Sequence, residues 1–127
     1  MKHQFTQHYT RDEARALLPQ VRQWLRALAD LREPMQKDEQ RLRAIMARGS
    51  DAGGETVNRC VRSLADFRAL LAEFQNRGII LKDIERGLVD FPAVIGGREV
   101  FLCWEKDEED IEFWHDLDTG YAGRERL

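Results

Sequence analysis

Cysteine is scarce in this chain of 127 residues: only Cys60 and Cys103 occur, in segments that we expect to form different elements. Neither belongs to a CxxC motif, so the sequence shows neither the spacing of a zinc ribbon nor a disulfide framework. We therefore expect two reduced, partly buried thiols.

Long apolar runs are also missing. The longest, such as residues 78–81 (Gly-Ile-Ile-Leu), fall far short of the roughly 20 residues that a membrane helix requires. The first residues, Met-Lys-His-Gln, lack the apolar stretch of a signal peptide. We expect a soluble, cytoplasmic protein with no membrane partner, folded as a single domain over residues 1–127.

The familiar catalytic and nucleotide-binding motifs are absent as well. The sequence contains no GxGxxG, GxxxxGK[ST], GxSxG or HExxH, which excludes the most easily recognised enzyme classes. It also has no RNA-binding aromatic motif and no basic tail. A nucleic-acid partner is therefore not expected.

Charge is plentiful, but the net charge of −3 conceals an uneven distribution. Residues 1–78 contain 14 Lys or Arg and 10 Asp or Glu, whereas residues 79–127 contain 6 and 13. The first part is thus net positive and the second net negative. Opposite charges predict attraction between these two parts or between neighbouring copies of the chain.

The first part begins with a long helical pattern. Thr10 followed by Glu13 is a capping box, so the helix should begin near residue 11. Its apolar residues recur every three or four positions, and the pattern continues to about residue 48. Because interior prolines disturb helices, we expect either a kink near Pro19 or a helix start just before it, and a kink or break near residue 33, before Pro34.

A second helical pattern follows a Gly/Ser-rich segment, residues 49–54, which predicts a mobile loop. Its apolar stripe runs from Val57 to Phe74, and Gly78 stands where a left-handed C-cap is expected. The two patterns predict a long antiparallel helical hairpin over residues 11–78. A hairpin of this length often pairs its remaining apolar stripe with a second copy, so a homodimer formed through it is one expected partner arrangement.

From residue 79 the apolar period shortens from about 3.6 to 2 and the residues become β-branched and aromatic, which is typical of strands. The pair Gly96-Gly97 supplies the positive φ of a tight hairpin turn. The sequence predicts an α+β fold in which the helical hairpin packs against a small antiparallel β-sheet of three or four strands, with the strand layer and C-terminal tail spanning residues 79–127. The expected strands are Ile79–Lys82, Leu88–Val94, Glu99–Glu105 and Ile111–His115.

The last two expected strands place a cysteine near a histidine. If the turn at residues 106–110 leaves Glu105 opposite Ile111, Phe101 lies opposite His115, and Cys103 lies diagonal to His115 on the same face. A slip of one residue would send His115 to the other face, and the sequence does not fix the register.

A thiolate and an imidazole on one face would suit a soft metal ion such as zinc, or a reactive thiol. Zinc in a structural site takes four ligands, so further ones would be needed. The alternative is a packed thiol beside a histidine that is hydrogen-bonded to its neighbours. The candidate metal ligands are Cys103, His115, Asp116 and Asp118, with the distant His3 and His8 as further possibilities.

A second group surrounds Asp90, whose carboxylate should point to the face opposite Val89 and Phe91. If buried, Asp90 would need a donor, which an arginine could supply; otherwise it is an exposed residue. Arginines beside aromatic rings would also suit an anionic ligand or the carboxylates of a partner. The candidate ligand-binding residues are Arg86, Asp90, Arg98, Trp104, Trp114, Tyr121 and Arg124.

Several stretches together form a pattern that covers nearly the whole chain: Phe5-Thr6, Thr10–Pro19, Gly78–Asp83, Arg86–Ala93, Cys103-Trp104 and Phe113–Arg124. With this pattern the chain resembles a family of small bacterial proteins, domain of unknown function 2203. The resemblance implies a single-domain cytosolic protein and no particular activity, substrate or cofactor. Most of the stretches lie after residue 78, so the resemblance points to the strand layer as the place of a shared role.

We expect a non-catalytic binding or protein-interaction module, because catalytic motifs are absent and the two parts of the chain carry opposite charge. The alternative is a metal- or thiol-dependent enzyme that uses the Cys103/His115/Asp116 cluster together with Asp90, with His115 as ligand or general base. The partner would be a second copy of the chain or an unidentified protein.

Overall fold

The first helix, α1, spans Arg11–Ala47 in the computed structural model, which describes residues 2–49 and 54–127. The predicted capping box is present: the Thr10 hydroxyl accepts the N–H of Glu13 at 3.1 Å, and the Glu13 carboxylate accepts the N–H of Thr10 at 2.9 Å. Pro19 and Pro34 both lie inside the helix. A helix start just before Pro19 and a break near residue 33 are therefore wrong. Burial of the apolar side chains on both sides of Pro19 offsets the local cost of that proline.

The second helix, α2, spans Gly54–Asn76 and ends in a Schellman motif. Gly78 has a φ of 68°, its N–H donates to the carbonyl of Gln75, and the N–H of Ile79 donates to the carbonyl of Phe74. The expected C-cap at Gly78 is confirmed, since this left-handed conformation favours glycine. The expected mobile loop falls mainly on residues 50–53, which lie outside the described residues.

Five antiparallel strands form one sheet in sequence order: β1 (Ile80–Asp83), β2 (Leu88–Ile95), β3 (Arg98–Glu105), β4 (Phe113–Asp116) and β5 (Glu125–Arg126). The α+β architecture is confirmed, with five strands in place of three or four. The fifth was missed because two residues are too short to show an alternating pattern. Gly96 and Gly97, with φ of 58° and 77°, form the predicted two-residue turn between β2 and β3.

The sheet buries residues on both of its faces. One face packs on the helices in a single apolar cluster that includes Leu18 and Val21 of α1 and Phe74 of α2. The strand residues in this cluster or packed against it are Leu81, Val89, Phe91, Ala93, Val100, Leu102, Trp104 and Trp114. Because side chains alternate along a strand, the residues between them point to the second face, away from the helices.

Ion pairs connect the positive helical part to the negative strand part, as the charge distribution predicted. The Arg15 guanidinium donates to both carboxylate oxygens of Asp110, at 2.7 and 2.9 Å. These hydrogen bonds hold the pKa of Asp110 below its usual value. Arg32 pairs with Glu85 at 3.1 Å. Neither helix contains a stretch that is both long enough and apolar enough to cross a bilayer.

Candidate metal centre

Three adjacent strands bring Asp90, Cys103 and His115 together on the second face. Asp90 lies directly opposite Cys103 in the β2–β3 ladder, and Phe101 lies opposite His115 in the β3–β4 ladder. Cys103 and His115 are therefore diagonal neighbours, and the predicted register is confirmed. One ligand atom from each of the three side chains lies within 4.8 Å of the other two.

All three side chains of this cluster are withdrawn from solvent. Asp90 is 2% exposed, and Cys103 and His115 are each 1% exposed. The ring of Phe101 packs beside His115 at 5.4 Å between centroids, and Phe5 from the N-terminal segment packs on Phe101. Polar side chains are seldom buried this completely without partners that satisfy them.

The hydrogen bonds of His115 define its protonation. Nδ1 lies 2.7 Å from the backbone carbonyl oxygen of Asp116, which only accepts, so Nδ1 carries a hydrogen. Nε2 lies 3.1 Å from each carboxylate oxygen of Asp90. Two sets of lone pairs cannot face each other at this distance, so a proton lies between Nε2 and the Asp90 carboxyl group. His115 and Asp90 therefore share one buried proton.

Cys103 is a thiol in this environment rather than a thiolate. Burial, followed by the charge of Asp90, raises its pKa to about 12, although Arg124 opposes the shift. The Nη1 atom of Arg124 lies 4.0 Å from Sγ, while the Nη2 atom pairs with Glu108 at 2.8 Å. A thiol with a pKa this high is a poor nucleophile near neutral pH.

Two of the predicted ligands do not join the cluster. The carboxylate of Asp116 pairs with Arg98 at 2.8 Å. Only the backbone carbonyl of Asp116 is hydrogen-bonded to His115. Asp118 is exposed in the turn after β4. Asp90 takes their place as the carboxylate of the cluster.

The Gly96-Gly97 turn determines which residue of β3 lies opposite Asp90. A two-residue turn pairs Ile95 with Arg98, and counting back along the two strands pairs Asp90 with Cys103. The enzyme alternative already grouped Asp90 with Cys103 and His115, and the count through the turn gives the register that places Asp90 beside Cys103.

The predicted ligand-binding residues do not converge on one surface. Trp104 and Trp114 point to the helix face, whereas Asp90 lies on the second face and bonds to His115. The ring of Tyr121 packs against the guanidinium groups of Arg86 and Arg124, and its hydroxyl donates to Glu105. Each candidate arginine already has a carboxylate of the same chain: the pairs are Arg86 with Glu105, Arg98 with Asp116 and Arg124 with Glu108.

These carboxylates form close hydrogen-bonded ion pairs with their arginines. Hydrogen bonds from Arg86 and Tyr121 hold the pKa of Glu105 below its usual value. An anionic ligand would have to displace Glu105 from Arg86 and Glu108 from Arg124. Of these arginines, Arg124 also lies beside the buried thiol, with its Nη1 atom 4.0 Å from Sγ of Cys103.

Residues 7–127 match the protein family described as "Uncharacterized conserved protein (DUF2203)". The chain belongs to this family. No curated protein and no solved structure matches the chain. In this member of the DUF2203 family, Asp90, Cys103 and His115 all lie within the stretches on which the family resemblance rests. The strand layer, to which that resemblance pointed, is where these three residues meet.

Proposed function

We propose that the protein is a non-catalytic binding module whose ligand is a divalent transition-metal ion, best suited to zinc, held by Asp90, Cys103 and His115. The observation that carries the proposal is the position of these three potential ligands, fully buried and within 4.8 Å of one another on adjacent strands. Zinc is bound by thiolate sulfur, imidazole nitrogen and carboxylate oxygen.

The protonation of the cluster supports this proposal. A metal ion would take the place of the proton between Nε2 and Asp90, and the Cys103 thiol would lose its proton to become a ligand. A divalent cation with a carboxylate, a thiolate and a neutral imidazole has no net charge, which suits a buried position.

The orientation of His115 also supports the proposal. A histidine that binds a metal through one ring nitrogen commonly donates its other N–H to a carboxylate or a backbone carbonyl. His115 does this through Nδ1 and the carbonyl of Asp116. Nε2 is thereby directed at Asp90 and left available for a metal ion.

A catalytic metal is the second candidate function. Three protein ligands leave a coordination position free, as catalytic zinc requires. The full burial of Asp90, Cys103 and His115 disfavours this alternative, because a substrate could reach them only if surrounding side chains, such as Arg124 beside Cys103, moved away. A thiol-dependent reaction is disfavoured by the raised pKa of Cys103.

The metal proposal predicts near-stoichiometric zinc in protein purified without an affinity tag or chelator, measured by elemental mass spectrometry. Cys103→Ser and Asp90→Asn are expected to weaken zinc binding at least about 100-fold, since each removes a ligand. Two matched controls are available in the chain. Cys60→Ser changes the other cysteine, and Asp116→Asn changes the carboxylate beside His115 while keeping its carbonyl; both should retain zinc.

Two results would overturn the metal proposal. One is a wild-type protein that is purified without metal and also fails to bind added zinc in a titration. The other is a loss of zinc in Asp116→Asn as complete as in Asp90→Asn, which would place the site elsewhere. Circular dichroism of each variant establishes that it is folded before its metal content is compared.

We also propose that a second copy of the chain binds the distal hairpin, defined as residues 33–47 of α1 and 54–67 of α2. Large apolar side chains are exposed there, with Met46 at 64%, Val61 at 62% and Leu64 at 42%. A groove of about 400 Å³ runs between the two helices and continues this apolar surface. Its apolar lining residues are Met35, Leu42, Cys60, Leu64 and Phe67.

The charges at the rim of the groove favour a second copy as its occupant. Arg32 and Glu39 both line it, about two turns apart on α1. A two-fold axis near Gln36 would place Arg32 of one copy opposite Glu39 of the other. The present partners of these side chains, Glu85 and Arg43, form exposed ion pairs that are weak and readily exchanged.

The second proposal predicts a dimer whose dissociation is measurable by sedimentation equilibrium. Leu64→Glu is expected to weaken the dimer at least about tenfold, because it places a charge in the apolar centre of the interface. Val94→Glu is the matched control, since Val94 is equally exposed, at 42%, but lies on β2. A wild-type monomer at high concentration, or equal effects of the two variants, would contradict the proposal.

A further inference from the structure

The N-terminal segment, residues 2–9, is fixed to the start of β3 by one carboxylate. Glu99 accepts the backbone N–H of Gln4 at 2.7 Å through one oxygen and the N–H of Phe5 at 3.0 Å through the other. Phe5 then packs edge-on against Phe101, with 5.3 Å between ring centroids. Glu99 is thus held in a defined orientation by main-chain donors.

Two imidazoles meet the same carboxylate. Nε2 of His8 lies 2.7 Å from Oε2 of Glu99. The ring of His3 lies edge-on to that of His8, with 5.0 Å between centroids. One ligand atom from each of His3, His8 and Glu99 lies within 4.8 Å of the other two.

We propose that His3, His8 and Glu99 form a second site for a divalent metal ion, separate from the buried cluster. Two imidazole nitrogens and a carboxylate oxygen are ligands that zinc accepts. The N–H groups of Gln4 and Phe5 orient the carboxylate, as outer hydrogen bonds do at metal sites. The two sites share no residue, so either can exist without the other.

His3 is the residue that distinguishes a metal site from a simple ion pair. The hydrogen bond between His8 and Glu99 would by itself fix the segment to β3, and it requires nothing from His3. His3 is exposed, yet it lies at the distance at which a metal ion would join it to the other two side chains. An exposed site also needs no opening of the fold before a metal ion enters.

The site would have a structural consequence. A metal ion bound by His3, His8 and Glu99 would fasten the segment that places Phe5 over Phe101. The amides of Gln4 and Phe5, which donate to Glu99, are then expected to exchange with solvent more slowly when zinc is present.

Calorimetric titration of tag-free Cys103→Ser with zinc tests this site, because that variant lacks the thiol of the buried cluster. His3→Ala, His8→Ala and Glu99→Gln, each added to it, are expected to weaken zinc binding at least about tenfold. The matched controls are Gln7→Ala, beside His8, and Glu125→Gln, an exposed carboxylate on β5; neither should change the affinity.

Cobalt added to the wild-type protein separates the two sites even if Cys103→Ser does not fold. Only the buried cluster contains sulfur, so only that site should give a sulfur-to-metal charge-transfer band, whereas the N-terminal site should broaden the proton signals of His3 and His8. Unchanged zinc affinity in His8→Ala would overturn the inference. So would full affinity in His3→Ala, which would reduce the cluster to an ion pair between His8 and Glu99.

Discussion

His115→Ala is expected to lower the free energy of unfolding of the metal-free protein by about 3–5 kcal/mol. The substitution leaves the Asp90 carboxylate buried without the imidazole that shares its proton. Typical domains are stable by about 5–15 kcal/mol, so the loss would be a large part of the total. Urea denaturation at pH 7 in the presence of a chelator measures it.

The double variant tests whether the uncompensated charge is the cause. Asp90→Asn in the His115→Ala background removes the carboxylate, and the double variant is therefore expected to be more stable than His115→Ala alone. Asp90→Asn by itself should lower the free energy of unfolding only slightly, because the amide can donate to Nε2 of His115 while Nδ1 keeps its bond to the Asp116 carbonyl.

The exposed ion pair between Arg43 and Glu39 is the control for this comparison. Both side chains are more than half exposed, and Arg43→Ala should change the stability by no more than about 1 kcal/mol. If His115→Ala were equally mild, or if Asp90→Asn did not improve the stability of His115→Ala, the shared proton would not be the stabilising element that the geometry indicates.

The parts of the fold that could be predicted are those with local signals. The capping box at Thr10 and the left-handed position at Gly78 define helix ends through hydrogen bonds within a few residues. The turn at Gly96-Gly97 defines the register of β2 and β3 in the same way. Each of these features depends on backbone geometry that neighbouring residues determine.

The effect of a proline inside a helix depends on distant contacts, which the local sequence does not show. The cost of a proline in a helix is local, whereas the burial that offsets it at Pro19 comes from strands that follow about seventy residues later in the chain. The N-terminal segment depends on distant contacts most strongly of all. It has no periodicity, and its place beside Glu99 follows only from the finished sheet.

The two candidate metal sites also differ in how far the local sequence determines their geometry. The cluster of Asp90, Cys103 and His115 follows from strand register, which the sequence partly encodes. The cluster of His3, His8 and Glu99 depends on contact between a segment without regular structure and the start of β3. His3 and His8 were expected as distant ligands beside Cys103, but the fold places both of them with Glu99 instead.

Cys103 is expected to react with iodoacetamide far more slowly than Cys60 in dilute, metal-free native protein. Its pKa of about 12, against an ordinary value of 9.0, lowers the thiolate fraction near neutral pH about a thousandfold. Full burial of Cys103 adds a steric barrier, whereas Cys60 is only partly buried on α2. Mass spectrometry of peptides after timed labelling gives both rates from a single sample.

The pH dependence and the unfolded chain provide the controls for this labelling. Between pH 7 and 9 the rate at Cys103 should rise about tenfold per pH unit without levelling, because the thiol remains mostly protonated up to its raised pKa. In denaturant the two cysteines should react at similar rates. This result would show that the folded structure causes the difference in labelling rate. Rapid labelling of native Cys103 at pH 7 would instead indicate an accessible thiolate, and would favour a thiol-dependent enzyme over a buried metal ligand.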